Sequence, residues 1–209
     1  VVLDIYYLGV IPNMTILSTR DLDELDMMLK FAMAHPGPIA IRYPRGGIPV
    51  APKSVTEFIA HLPHPPLHFS KSEWIRPGRN IAIIAAGTMT YTALEAAFLL
   101  ERESIDAAVI NARFLKPFDS ELLDLLSSRY RYVVTLEEGS VRGGFGSTVL
   151  STLRAKGNSP IHFLPLGLPD QFFQHGKREL LLEQAELSPG KVFTQIKQFL
   201  GQEGAVSWE

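Results

Sequence analysis

The stretch Asn80-Ile-Ala-Ile-Ile-Ala-Ala86 decides the fold. Its apolar residues do not alternate with polar ones, which is typical of a strand buried on both faces of a parallel sheet. Downstream, the pattern predicts helix 90–102, strand 105–110, helix 119–128, strand 131–136, helix 146–155, strand 160–166 and helices 177–185 and 189–200. This alternation predicts an α/β fold, a three-layer αβα domain whose mostly parallel sheet has strand 80–86 at its centre.

A smaller unit of strand 14–18, helix 21–34 and strand 39–43 precedes that domain. The buried stripe of its helix is expected to be Leu22, Leu25, Met28, Leu29 and Ala32. Between the two units, prolines 49, 52, 63, 65, 66 and 77 indicate a linker with some strand content. We therefore expect a first domain end at 1–48, a proline-rich linker at 49–78 and a second domain at 79–209.

Composition excludes several classes of protein. The 209 residues include 20 Lys plus Arg and 22 Asp plus Glu, a net charge of -2, so a nucleic-acid partner is not expected. No apolar run approaches the roughly 18 to 20 residues that a membrane span needs. There is no cysteine, which removes disulfides and Cys ligands, and the cytoplasm is the default compartment. A chain that begins at Val1, with no signal-peptide pattern, is interpreted as one whose natural beginning is missing.

Candidate ligand-binding residues follow the strands, because ligands of parallel sheets bind beyond the carboxyl ends of the strands. Strand 39–43 leads into Arg42-Tyr-Pro-Arg45, followed by two glycines that leave room for a ligand. Such arginines bind phosphate or carboxylate, or pair with a neighbouring acidic side chain. Both interpretations stay open from the residues alone.

Two glycine-containing turns suggest anion binding more weakly. Gly87-Thr-Met-Thr90 follows strand 80–86 and could hold an anion or simply cap a helix. The stretch 137–147 is rich in glycine but lacks the spacing of a nucleotide loop, so a small-nucleotide binder is a minor alternative. Its Glu137-Glu138 pair could act in acid/base chemistry, although a helix-preceding acidic turn or a subunit contact is favoured.

The histidines do not indicate a metal site or a catalytic triad. His61, His64 and His68 are separated by prolines that oppose a common helix face, so no metal ligands are predicted. Asp170 and His175 have no serine or threonine nucleophile near them in the sequence. Phe172 and Phe173 are expected to be packing or interface residues.

Several segments together resemble the carboxyl-terminal third of the 1-deoxy-D-xylulose-5-phosphate synthase family, whose members are transketolase-like. They are Asp4-Ile-Tyr-Tyr-Leu8 with Ile11-Pro-Asn13, Ile41-Arg-Tyr-Pro-Arg-Gly46, and the stretches 111–119, 136–147 and 166–176. The resemblance implies that 1–48 ends a pyrimidine-binding domain and that 79–209 is a transketolase carboxyl-terminal domain. It also implies a transferase that joins pyruvate to D-glyceraldehyde 3-phosphate on thiamine diphosphate and Mg²⁺.

One functional residue carries over by this resemblance: Arg45, as the residue that binds the substrate phosphate. Arg42 is assigned a structural pairing role. In the family, the catalytic histidine and the cofactor and metal ligands precede the stretch that begins here, so none is predicted in this chain. The resemblance thus implies an inactive fragment that needs its amino-terminal portion and works as a homodimer. The alternative is a non-catalytic docking or regulatory module.

Overall fold

A computed structural model describes residues 3–44, 49–63, 65–157, 161–171 and 175–201. Within them the helices are α1 (Asp4–Gly9), α2 (Leu22–Ala34), α3 (Lys53–Ala60), α4 (Met89–Glu101), α5 (Ser120–Arg129), α6 (Phe145–Ala155), α7 (Arg178–Gln184) and α8 (Pro189–Gly201). The strands are β1 (Thr15–Ser18), β2 (Ile39–Arg42), β3 (Glu73–Arg76), β4 (Ile81–Ala85), β5 (Ala107–Asn111), β6 (Phe114–Lys116), β7 (Tyr132–Ser140) and β8 (His162–Leu168). In the described part of the chain, no helix is long and apolar enough to cross a membrane.

The large sheet has five strands in the order β3-β5-β4-β7-β8. All neighbours are parallel except β3, which runs antiparallel to β5. The predicted central position of β4 is confirmed, and every residue of this strand is buried.

Helices cover the large sheet on both faces, as the apolar strands require. Ile81, Ile83 and Ala85 of β4 pack in one core with side chains of α3, α4, α7 and α8. The alternate residues Ala82 and Ile84 pack on the other face with side chains of α5 and α6. The predicted three-layer αβα architecture is therefore confirmed.

A small sheet in the order β2-β1-β6 connects the amino-terminal segment, residues 3–44, to this domain. β1 and β2 are parallel, whereas β6 pairs antiparallel with β1. β6 follows β5 after a short turn, so neighbouring parts of one chain enter both sheets. The sequence analysis does not predict β6, because a strand of three residues is too short to show a periodic pattern.

The expected buried stripe of α2 is partly wrong. Met28 is buried, but Leu22 and Leu29 are 66% and 52% exposed, and Leu25 and Ala32 are intermediate. The helix instead buries Glu24, which pairs with Arg113 in the turn between β5 and β6. Apolar periodicity cannot detect a helix face that is fixed by ion pairs.

The proline-rich segment contains more regular structure than the sequence analysis expects. The helix α3 lies inside it and packs Val55 and Ile59, one helical turn apart, into the core. Pro52 directly precedes the helix, where proline is tolerated because the first N–H groups have no intrahelical acceptor. Because many prolines in a segment are typical of a linker, the sequence analysis does not predict this helix or the position of β3.

Candidate functional site

The end of β2 is fixed by the side chain of Arg42. Its Nε donates to Asp4 Oδ2 at 2.7 Å, and its Nη2 donates to the backbone carbonyl of Glu138 at 3.1 Å. Both side chains of the ion pair are 15% exposed. The structural pairing role assigned to Arg42 is thus confirmed. Arg45, the candidate phosphate-binding residue, lies outside the described residues.

The glycine-rich stretch after β7 makes room for α1. A Cβ atom on Gly143, whose φ is +68°, would lie 2.3 Å from the ring of Tyr6. A Cβ atom on Gly139 would lie 3.1 Å from Ile5 Cδ1. These glycines permit close packing of a helix, so the loop geometry gives no support to the nucleotide-binding alternative.

Glu137 caps a helix. This buried carboxylate accepts hydrogen bonds from the backbone N–H groups of Phe145 at 2.9 Å and Gly146 at 2.8 Å, in the first turn of α6. Burial raises the pKa of Glu137, and the two N–H donors oppose that shift. Because both oxygens are occupied at the helix N-terminus, the geometry favours the predicted acidic turn over acid/base chemistry.

Glu138 belongs to a second group of contacts at the carboxyl ends of the strands. Its carboxylate accepts from Arg178 Nε at 2.9 Å, and Arg178 Nη2 donates to Thr88 Oγ1 at 3.0 Å. The turn before α4 is closely packed, since a Cβ on Gly87 would lie 2.4 Å from Ser18 Oγ. The arginine therefore links β7, α7 and the start of α4.

A buried cluster of polar side chains joins the amino-terminal segment to the large sheet. Glu24 accepts from Arg113 Nε at 2.8 Å and from Asn111 Nδ2 at 2.9 Å. It also accepts the backbone N–H of Arg20 at 2.6 Å. Glu73 Oε2 lies 2.8 Å from Arg20 Nη1 and 3.1 Å from Arg113 Nη2.

The electrostatics of this cluster are dominated by burial. All five of its members are buried. Burial raises the pKa of Glu24, although the positive charges of Arg20 and Arg113 oppose the shift. The sequence analysis did not select these residues as a group. A usable signal was present in Asn111-Ala-Arg113, where polar residues interrupt an apolar run at the carboxyl end of a strand.

The remaining candidates do not converge on one site. Asp170 pairs with Arg142 at 3.0 Å, and both side chains are exposed. The ring of His61 contacts the backbone carbonyl of Glu57, while His64 lies outside the described residues. Phe172 and Phe173 also lie outside them. Within the described ranges, no group of three or more His, Asp or Glu residues could hold a metal ion.

Comparison with known proteins agrees with this architecture. Residues 70–192 match the family model of the transketolase C-terminal domain. The 1-deoxy-D-xylulose-5-phosphate synthase of Chlorobaculum tepidum is 38% identical over 94% of this chain, which covers 30% of that protein. The enzyme of the same name from Gloeobacter violaceus is 39% identical over 97% of the chain, which covers 31% of it. The chain thus spans about 30% of the length of these curated relatives.

Solved structures extend the comparison. A split-gene transketolase, described as an inactive β4 tetramer, superposes with a TM-score of 0.81 at 33% identity, over 95% of this chain and 61% of that one. A transketolase from Pichia stipitis has a TM-score of 0.70 at 17% identity, over 98% of this chain and 28% of that one, and supports the fold alone. The resemblance to 1-deoxy-D-xylulose-5-phosphate synthases is confirmed by the sequence matches. With more than half of its residues matched by the family model, the chain belongs to the transketolase C-terminal domain family.

Proposed function

We propose that this chain is the carboxyl-terminal part of a 1-deoxy-D-xylulose-5-phosphate synthase. Such an enzyme decarboxylates pyruvate and joins the remaining two-carbon unit to D-glyceraldehyde 3-phosphate. The observation that carries the proposal is identity of 38% and 39% to two synthases over nearly the whole chain. In this proposal, residues 1–48 end a pyrimidine-binding domain, the enzyme is a homodimer, and the cytoplasm is its compartment.

Arg45 is the residue that we propose for binding the phosphate of the aldehyde substrate. It follows β2 by three positions, and the last residue of that strand is held by an ion pair and a backbone carbonyl. A phosphate dianion is best bound by a donor that is always charged and that presents a rigid planar fork. Binding energy from this phosphate, remote from the reacting carbonyl, can position the aldehyde for attack.

The cofactors implied by the proposal are thiamine diphosphate, which supplies a carbanion-stabilising ylid, and Mg²⁺. The described residues do not fit the metal, because they contain no cluster of three or more His, Asp or Glu side chains with suitable placement. We propose that the cofactor ligands belong to an amino-terminal portion outside this chain. The contribution of the chain is then the phosphate contact and the carboxyl-terminal domain.

Substitution of Arg45 tests the proposal in the complete enzyme. Arg45→Ala should raise KM for D-glyceraldehyde 3-phosphate by about 10- to 150-fold, since a charge-assisted hydrogen bond contributes about 1.5 to 3 kcal/mol. KM for pyruvate should change little. Arg142→Ala is the control, because Arg142 is an exposed arginine whose described ion pair is with Asp170. Equal effects of Arg45→Ala on both substrates would contradict the assignment.

A second candidate is a non-catalytic docking or regulatory module. It is favoured by the similarity to a split-gene transketolase chain that is described as inactive, because a polypeptide of this family then occurs as a separate subunit. Intact mass and turnover of the native protein separate the two candidates. A mass near three times that of this chain, with synthase activity, supports the enzyme. A native protein of 23.2 kDa without activity supports the module, and activity of this chain alone would contradict the proposed location of the cofactor ligands.

A further inference from the structure

The helix α2 carries apolar side chains on two faces. On its inner face, Met28 is buried and Phe31 half-buried, and both pack with side chains of the small sheet. On the outer face, Leu22 is 66%, Leu29 is 52% and Met33 is 90% exposed. At about 100° of rotation per residue, these three side chains lie within about 40° of one another and point away from the small sheet. They form one apolar surface, here called the outer strip.

The two flanks of the outer strip differ in character. On one flank lie Asp26 and Lys30, whose carboxylate and ammonium groups are 2.6 Å apart and exposed. On the other flank lie Leu25 and Ala32, both half-buried. The helix therefore presents an apolar centre, a charged side and an apolar side to a partner.

A second helix is the element that fits this surface. The outer-strip residues are separated by seven and four positions, which is the spacing of a ridge that packs into the groove of a facing helix. Because α2 has 13 residues, a pair of such helices is about 20 Å long. It buries less than the roughly 800 Å² per partner of a standard interface, so we expect a reversible association.

We propose that the outer strip is a self-association surface, on which α2 of a second copy of this chain packs antiparallel across a two-fold axis. The inference rests on the proposed function only for the homodimer, whose contact surface it names. A two-fold axis brings the same surface of both copies together. The charged flanks of the two helices then meet in reverse order, and so do the apolar flanks.

The charge pattern favours this arrangement over a parallel one. With the axis midway between positions 26 and 30, Asp26 of each copy lies opposite Lys30 of the other, so both charges gain a partner of opposite sign. A parallel pair would place the charged flank of one copy against Leu25 and Ala32 of the other. The antiparallel orientation also sets the positive end of each helix dipole beside the negative end of the other.

Single cysteine substitutions test this geometry, because the chain has no cysteine of its own. A disulfide needs Cα atoms within about 7 Å of each other. Leu29 is one position from the proposed axis, so Leu29→Cys should crosslink two copies under mild oxidation. Leu22→Cys and Met33→Cys should not crosslink with themselves, since like positions would be about 15 to 18 Å apart along the helices. An equimolar mixture of these two variants should crosslink, because Leu22 of one copy lies near Met33 of the other.

Leu180→Cys is the matched control. Leu180 lies on α7 and is 61% exposed, close to the exposure of Leu22, so it reports crosslinking by random collision. Crosslinking of Leu29→Cys above this level, with Met33→Cys at this level, supports the antiparallel pair. Equal crosslinking at all positions overturns the proposal, and so does efficient crosslinking of Met33→Cys with itself, which would indicate a parallel pair.

Sedimentation velocity of the 209-residue chain measures the association itself. The chain should form a dimer whose fraction rises with concentration, and Met33→Glu should raise Kd at least about tenfold, because it places a charge in the apolar strip. Leu180→Glu should leave Kd unchanged. A chain that sediments as a 23.2 kDa monomer at about 100 μM overturns the proposal.

The complete enzyme separates this inference from the proposed function. There, Leu29→Cys should give a disulfide between the two copies of position 29, identified by peptide mass spectrometry. If an amino-terminal portion of the same chain covers the outer strip instead, that disulfide is absent. The thiol of Met33→Cys then reacts with a maleimide in the 209-residue chain but is protected in the complete enzyme. That outcome overturns the self-association and leaves synthase activity intact, whereas a complete protein without synthase activity refutes the proposed function whatever its crosslinks.

Discussion

Glu24→Ala is the substitution that should damage this fold most directly. Glu24 is fully buried, and its two oxygens accept hydrogen bonds from Arg113, Asn111 and the backbone N–H of Arg20. The alanine would remove all three acceptor contacts without removing any of the donors. Two guanidinium groups would then remain in a buried cluster with less negative charge beside them.

The expected loss follows from the number of donors that remain. Removing one partner of a buried ion pair costs about 3 to 5 kcal/mol when the other charge is left unpaired. Arg20 and Arg113 would keep their contacts with Glu73, so the loss should lie at the lower end of that range, about 3 kcal/mol. A loss of about 3 kcal/mol lowers the ratio of folded to unfolded chain by roughly 150-fold. Since natural domains have a free energy of unfolding of only about 5 to 15 kcal/mol, the variant should be close to its stability limit.

Urea unfolding at neutral pH, followed by far-UV circular dichroism, measures this loss. Asp26→Ala on the same helix is the control, because the exposed Asp26–Lys30 pair should contribute less than about 1 kcal/mol. If Glu24→Ala does not fold, Glu24→Gln keeps the shape of the side chain and should lose about 1 to 3 kcal/mol. A loss of less than about 1 kcal/mol in Glu24→Ala would refute the argument that the buried donors of this cluster depend on the Glu24 carboxylate.

Two further predictions concern the stretch after β7. Gly143→Ala should cost about 1 to 3 kcal/mol more than Gly157→Ala in urea unfolding: both glycines have positive φ, but only the Cβ at Gly143 meets the Tyr6 ring, so equal losses would contradict the packing role. Because burial raises the pKa of Glu137, its contribution to stability is complete below the ordinary value of 4.5 and decreases as pH rises above it. The stability of the wild type relative to Glu137→Gln should therefore fall between pH 4.5 and neutral pH, and a rise would show that the N–H donors outweigh burial.

Elements whose determinants are local could be predicted from the sequence. The apolar run at β4 predicted a central strand that is buried on both faces, and the structure has it there. The strands and helices from β4 to α8 follow the expected alternation, with boundaries that differ by a few residues. Short-range patterns are sufficient where one face of a helix or both faces of a strand are apolar.

Features that depend on residues far apart in the sequence were not predicted. Glu24 and Arg113 are 89 positions apart, and Asp4 and Arg42 are 38 apart, so no spacing rule connects either pair. The glycines after β7 looked like part of an anion-binding loop, because the sequence does not reveal that α1 lies against them. Arg45 was selected by family resemblance, since a strand-end arginine alone is equally suited to an ion pair.

The ion pairs of Glu24 with Arg113 and of Arg42 with Asp4 both involve the amino-terminal segment, and their directed contacts fix its position. Ile5 and Ile16 bring the amino-terminal segment against the core, but apolar contacts tolerate small shifts in position. Directed pairs do not, because a shift of the segment would leave Glu24 or Arg42 desolvated without its partner. Apolar packing therefore brings the two sheets together, and the buried ion pairs fix how they are aligned. The direction in which the chain leaves β2 is thus set largely by charge, through the contacts of Arg42 with Asp4 and with the backbone carbonyl of Glu138.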